Sequence, residues 1–267
     1  MSIQNTQITT EQVKELRDAT GISVMQCKRA LEEAEGDMKK ALAILKKTSS
    51  DIALKKVNRE VKNGRVCVKT KNEEKNRKAV LISLHCETDF VARNEDFITL
   101  LETLTEKALQ DGVEKMKAEA KNMIDQIIQK TGENIQLGDT YEIFGEVLGN
   151  YVHNNKIGVI VSLAGGDTEL AKDIAMHIAA MKPEYISPDE ITEDARKTMK
   201  EIFEKEITGI NKSEEVKKKM LDGKMATYFK EKTLLDQAFI RNGEETVGQL
   251  LEKTRAKIKE VKVYSII

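Results

Sequence analysis

Ala79-Val80-Leu81-Ile82-Ser83-Leu84-His85-Cys86-Glu87-Thr88-Asp89-Phe90-Val91-Ala92-Arg93-Asn94 takes an apolar run through a polar turn to a helix start, and its reading decides the fold. Ala79 to Leu84 is short, mostly apolar and partly β-branched, which predicts a strand buried on both faces. Asn94 can cap a helix whose first turn holds Glu95 and Asp96, acids that suit the positive end of a helix dipole. Phe97, Leu100 or Leu101, Leu104 and Ala108 then recur at helical spacing and give that helix its core-facing stripe. Phe90 lies before the stripe begins. With Val91 it either tucks under the turn, the commoner fate of an isolated apolar turn residue, or stands out as a wedge for a partner.

The rest of the composition narrows the class. The 267 residues can bury one large core or two to three smaller ones, and they are 40% hydrophobic and 33% charged with two prolines, which predicts a helix-rich protein with charged outer faces. Forty-four Lys and Arg against 45 Asp and Glu leave a net charge of -1, so no global field draws the chain to nucleic acid. Cys27, Cys67 and Cys86 are far apart, with neither C-x-x-C spacing nor histidines at ligand distance, and read as reduced thiols without a metal. Met1 to Thr6 shows no charged segment leading into an apolar core, and no run approaches a membrane span. A cytoplasmic protein without cofactor is expected.

In chain order, residues 1–50 read as three short helices. Thr9 with Gln12, and Ser23 with Gln26, have capping-box spacing, and Asp37 caps the third helix. Leu16, Cys27, Ala30, Leu31, Ala41, Leu42 and Leu45 point inward, while Val24 and Met25 at the second helix start are either bundle core or an adaptable partner contact. Residues 51–64 form a charged linker. Residues 65–140 hold an alternating strand from Arg65, a polar turn at Asn72 to Asn76, the buried strand and two amphipathic helices. A second unit, 141–186 with 234–267, begins with strands at Tyr141 to Leu148 and Lys156 to Leu163. Gly165-Gly166-Asp167 then leads into a helix with Leu170, Ile174, Ile178 and Met181 inward. Val159 to Leu163 before Gly166-Asp167 repeats Val80 to Leu84 before Thr88-Asp89, so the core is a duplicated strand-turn-helix plan. Its second copy lacks the phenylalanine. Residues 187–233 start at the helix signal Ser187-Pro188-Asp189-Glu190 and form an antiparallel helical hairpin through Gly209.

Catalysis is disfavoured. His85 and Cys86 are neighbours on a strand and point to opposite faces, so the imidazole cannot activate the thiol. Gly165-Gly166-Asp167 is too short for a phosphate-cradling loop. His153 sits in a polar turn, and His177 on the apolar side of its helix reads as a satisfied core histidine.

Several stretches together resemble one family, the bacterial elongation factor Ts proteins, which are exchange factors for elongation factor Tu. They are Val13-Lys14-Glu15-Leu16-Arg17 with Thr20-Gly21 and Met25 to Leu31, Thr88-Asp89-Phe90-Val91-Ala92-Arg93, Tyr151-Val152-His153, Ile157-Gly158-Val159, Ile174 to His177, Lys182 to Tyr185 and Thr246 to Leu251. The resemblance implies an α+β fold with a UBA-like three-helix bundle, duplicated core subdomains with small antiparallel sheets, and an inserted coiled-coil hairpin. It also implies a non-enzymatic GDP-release factor. Asp89 and Phe90 would contact the nucleotide-binding domain of elongation factor Tu, with Thr88 and Val91 as partner-binding residues beside them. Arg17, Val24, Met25 and His153 would add contacts, Val24 a smaller one because the family carries methionine there. The chain stops soon after its final strand, without the extra C-terminal module of some members. No nucleic acid, membrane or cofactor is implied, and a homodimer or 2:2 complex through core or hairpin is left open. The rival reading is a scaffold whose bundle binds a helical or ubiquitin-like partner and whose hairpin dimerises.

Overall fold

The structure is a computed structural model that describes residues 8–73 and 76–266; Met1 to Thr6 and the middle of the Asn72 to Asn76 turn lie outside the described residues. Thr9 and Gln12 close a two-sided capping box that starts α1 (Thr10–Thr20), and Gly21 ends it with a left-handed backbone. Ser23 caps α2 (Val24–Glu33) and Asp37 caps α3 (Met38–Lys56). Leu16, Cys27, Leu31, Ala41 and Leu45 form the bundle core. The third helix is long. It runs on through residues expected in the linker, and Ala53 near its end is buried in the neighbouring core. Leu42, expected inward, is exposed beside a cleft shared with Ile127 and Lys130.

After the bundle come β1 (Asn63–Asn72), β2 (Arg77–Cys86), α4 (Asp89–Ala92), α5 (Glu95–Asp111), α6 (Val113–Thr131), β3 (Ile135–Gly145), β4 (Val147–His153), β5 (Ile157–Ala164) and α7 (Thr168–Met181). The hairpin helices α8 (Glu193–Thr208) and α9 (Glu214–Lys232), the short ribbon β6 (Ala238–Phe239) and β7 (Asn242–Thr246), α10 (Val247–Lys253) and β8 (Lys257–Ser265) complete the chain. Two antiparallel sheets, in orders β1-β2-β3 and β4-β5-β8, have β2 and β5 as their central strands. These are the strands matched in the sequence repeat.

Alternation along β2 explains the layering. Val80, Ile82 and Leu84 pack on Phe97, Leu100, Leu104 and Met116 of α5 and α6. Ala79 and Leu81 share the other core with Ile143, Leu148 and Ile160, between the sheets. Val159, Val161 and Leu163 of β5 face Ala171, Ile174 and Ile178 of α7 and Val247 and Leu251 of α10. The result is an α+β fold layered as helix, sheet, sheet, helix. His85 Nε2 and Tyr264 Oη, 2.8 Å apart, join the two sheets.

Three expectations change in detail. The strand expected over Tyr141 to Leu148 is two strands divided at Glu146: Tyr141 to Gly145 end β3 and pair with β2, whereas Val147 and Leu148 begin β4 in the other sheet. Ser187-Pro188-Asp189-Glu190 makes a single 3-10 turn, because Ile191 is extended and buried; the helix proper begins behind Thr192, whose hydroxyl accepts from Ala195 N–H. Met181 is exposed at the last turn of α7.

Gly149 of β4 lies where strand and helix backbones meet. A Cβ there would stand 2.2 Å from the Ala171 carbonyl carbon and the Lys172 nitrogen of α7. Backbone cannot give way as a flexible side chain can, so Gly149→Ala should cost about 2 kcal/mol or more, read as a lower urea midpoint at unchanged m-value.

Candidate partner-binding face

Thr88 ends the strand and begins the exposed turn. Its hydroxyl accepts from Val91 N–H at 3.4 Å and so caps α4. A single turn of helix follows, and it separates the two apolar residues: Val91 is buried in the core beneath, and Phe90 is 83% exposed. The sequence alternatives are thereby divided between neighbours. Asp89 is partly exposed and makes an ion pair with Arg93 at 3.1 Å on the same turn.

The turn is fixed from below by residues that sequence reading did not single out. Glu133 takes Thr88 N–H on Oε2 at 3.0 Å and the Thr88 hydroxyl on Oε1 at 2.6 Å. In the opposite sense, Glu87 Oε1 accepts Asn134 N–H at 2.6 Å. Asn63 Nδ2 donates to Glu87 O at 3.1 Å, and Asn134 Nδ2 to Arg59 O at 2.7 Å. Gly132, left-handed at φ +77°, turns the chain out of α6 so that Glu133 follows directly. The Thr131-Gly132 helix stop is visible in the sequence. Its pairing with Thr88, 45 residues away, has no local signature.

Of the other candidates, Val24 and Met25 are tied most directly to the Phe90 turn. Val24 and Met25 are 50% and 58% exposed on the first turn of α2, not packed in the bundle core. Gln129 of α6 donates to Gln26 Oε1 at 3.1 Å, and Lys130 bonds Asp96 of α5 at 3.0 Å. Residues 129–134 therefore touch both the α2 start and the Phe90 turn. His153, expected in a polar turn, is the exposed last residue of β4 and pairs with Ile157 of β5, with Tyr151 Oη 3.2 Å from its Nδ1. The turn that follows it reaches β1 through Val66 N–H donating to Asn155 O at 2.9 Å, close to the end of β2. Arg17 is exposed on α1, and its carbonyl accepts from Gly21 N–H.

The thiol and the buried imidazoles show no arrangement for catalysis. Burial, reinforced by the Glu133 charge, pushes the Cys86 thiol up to about 12, and it donates to Thr88 O at 3.1 Å. His177 is fully buried between two partners: its Nδ1 accepts Ile240 N–H at 3.2 Å, so Nε2 carries the proton toward Gln237 Oε1 at 2.8 Å. Among the described residues no group of three or more His, Cys, Asp and Glu side chains could hold a metal ion, and no helix is long and apolar enough to cross a membrane.

Comparison with known proteins gives one consistent match. The family model described as "Elongation factor TS" matches residues 87–266. The chain is 38% identical over 264 residues to "Elongation factor Ts" of Hahella chejuensis, covering 97% of this chain and 92% of that protein. Proteins of the same name from Alcanivorax borkumensis and Pseudomonas syringae pv. syringae are 37% and 38% identical, covering 92% and 94% of this chain and 90% and 88% of theirs.

Burial lowers the folded-state pKa of both His177 and His85. The unfolded chain then takes up protons near pH 6.5 that the folded chain refuses, so this stability is complete above about pH 6.5 and is lost as pH falls through the lower folded values. Urea midpoints should fall from pH 7.5 to 5.5, and His177→Gln should reduce that slope whatever its effect on the midpoint itself.

Proposed function

The chain belongs to the elongation factor Ts family, and from that premise we propose that it binds elongation factor Tu carrying GDP and promotes GDP release. The observation that carries the reading is Phe90: a large ring, 83% exposed, on a helical turn whose neighbours Val91 and Ala92 are buried. In this reading Phe90, with Asp89 beside it, wedges into the nucleotide-binding domain of the partner and disturbs its magnesium and phosphate site, after which GTP can load. Arg17, Val24 and Met25 dock from the bundle, and His153 from the second sheet. Thr88 and the buried Val91 shape the turn without facing the partner.

Such a factor makes no covalent bond. It binds the nucleotide-free partner more tightly than the loaded one, and linkage requires that it weaken nucleotide binding by the same factor. A wedge works only if its base is stiffer than what it enters, and the buried strand beneath Phe90 supplies that base. The proposed division of labour keeps the expected units and moves their bounds to the observed elements: a docking bundle through the end of α3 at Lys56, a short linker up to β1 at Asn63, a first core subdomain through Gly145, a second over 147–186 with 234–266, and a hairpin over 187–233. In this reading the protein acts in the cytoplasm, contacts no nucleic acid directly and takes no cofactor of its own.

The test is the dissociation rate of fluorescent GDP from elongation factor Tu, with and without this protein, in excess unlabelled nucleotide. Phe90→Ala should reduce the acceleration about 30-fold or more, the weight of a hot-spot ring near 2 kcal/mol. Because the ring is exposed, the same change should alter stability by no more than about 0.5 kcal/mol. A wild-type protein that folds and gives no acceleration would sink the exchange reading and leave the scaffold. Cys86→Ser should leave exchange nearly unchanged, whereas a thiol enzyme would lose its activity.

A further inference from the structure

We infer that Glu133 is a positioning residue for the Phe90 turn, holding through Thr88 the backbone that carries the ring; the inference rests on the exchange reading of Phe90. The geometry supports this in three steps. First, the carboxylate takes both the backbone N–H and the hydroxyl of Thr88, at 3.0 and 2.6 Å, which leaves that residue no other rotamer consistent with both bonds. Second, the hydroxyl that donates to Glu133 accepts from Val91 N–H, so the carboxylate orients the very group that starts α4. Phe90 lies between the two ends of that link and has no packing of its own to hold it.

Third, the clasp is reciprocal. Glu87 takes Asn134 N–H while Glu133 takes Thr88 N–H, so each of two neighbouring residues in one loop is bonded to one of two neighbours in the other. One such bond would allow rotation about it; two in opposite senses do not. The second loop is tied down independently: Asn134 is buried and bonds Arg59 O, and Gly132 O accepts from Lys56 Nζ at the end of α3. Glu133 thus refers the Phe90 turn to the end of α6, the same segment whose Gln129 holds the start of α2. The distance and angle between the ring and the Val24 and Met25 turn are set through it.

The chain has no tryptophan, so Phe90→Trp introduces a single reporter at the tip. In that background, Glu133→Ala should lower the indole anisotropy, because motion of the loosened turn adds to the side chain's own rotation. Glu133→Gln, which keeps one acceptor oxygen but offers an N–H₂ to the other donor, should lie between. In the otherwise natural chain, Glu133→Ala should reduce GDP release at saturating factor by about tenfold, the scale of losing a hydrogen bond to a charged group. Thr88→Ala should add little to it, because both changes cut one link. Unchanged anisotropy in folded Glu133→Ala would overturn the inference, as would unchanged release in a protein whose release collapses in Phe90→Ala. If Phe90→Ala leaves release intact, the exchange reading of the ring has failed, and anisotropy alone decides whether Glu133 fixes the turn. Should Glu133→Ala not fold, Glu133→Gln and Thr88→Ala give the same two readouts.

Discussion

Burial of β2 on both faces is the constraint from which the rest follows. With helices on one side and a second sheet on the other, a side chain on this strand must be apolar or must bring its own partner. Ser83 meets that demand by bonding Asp139 O, and His85 by bonding Tyr264. Nothing large can be offered to another protein until the chain leaves the sheet. The first position where that becomes possible is the turn after Cys86, and there the chain exposes Phe90. The candidate site is accordingly built from a double-faced buried strand, a one-turn helix and an exposed ring.

The same constraint explains why acids do so much at this end. The turn has donors to satisfy, from Thr88 N–H to Asn134 N–H, and the buried strand offers no acceptors to them. Glu87 and Glu133 supply carboxylates instead, each bonded to backbone. Charge-assisted bonds are shorter and stronger than neutral ones, and a turn fixed by them deforms less under load. The nearby Cys86 thiol feels the Glu133 charge as an added reason to stay protonated, which turns it into one more donor to the turn.

Local rules were legible where the determining atoms lie within a few residues. The Thr9 and Gln12 box, the Asp37 and Asn94 caps, the Gly21 and Gly132 stops and the alternation along β2 all belong to this class. The strand division at Glu146 was not, because Gly145 and Val147 differ only in which sheet receives them, and that is set by β2 and β5 from afar. Val24 and Met25 fit a bundle interior by pattern, yet a bundle this small fills its core with Leu16, Cys27, Leu31 and Leu45 and leaves them outside. At the candidate site, Phe90 stood out as lying ahead of the helical stripe, but pattern alone favoured its tucking under the turn, and only the fold shows it exposed. The Glu133 clasp joins residues far apart in sequence, and only the folded chain brings them together.

The hairpin follows a different principle from the rest. Along α8 and α9 only Ile207 and Phe229 are buried, and Ile202 and Val216 are exposed. Phe229 lies at the root, against Tyr185, Tyr228 and the Arg196 guanidinium, where the chain also bonds backbone to backbone between Tyr185 and Lys232. Beyond the root the two helices share only a few apolar contacts, Phe203 on Tyr228 and Ile207 near the tip, beside surface pairs such as Lys224 with Glu206, each worth well under about 1 kcal/mol. A structure anchored at its root and thinly packed beyond it opens locally at little cost, unlike the layered core. Tight packing in this protein is therefore concentrated in the layered core beneath Phe90, and the hairpin stands apart from it.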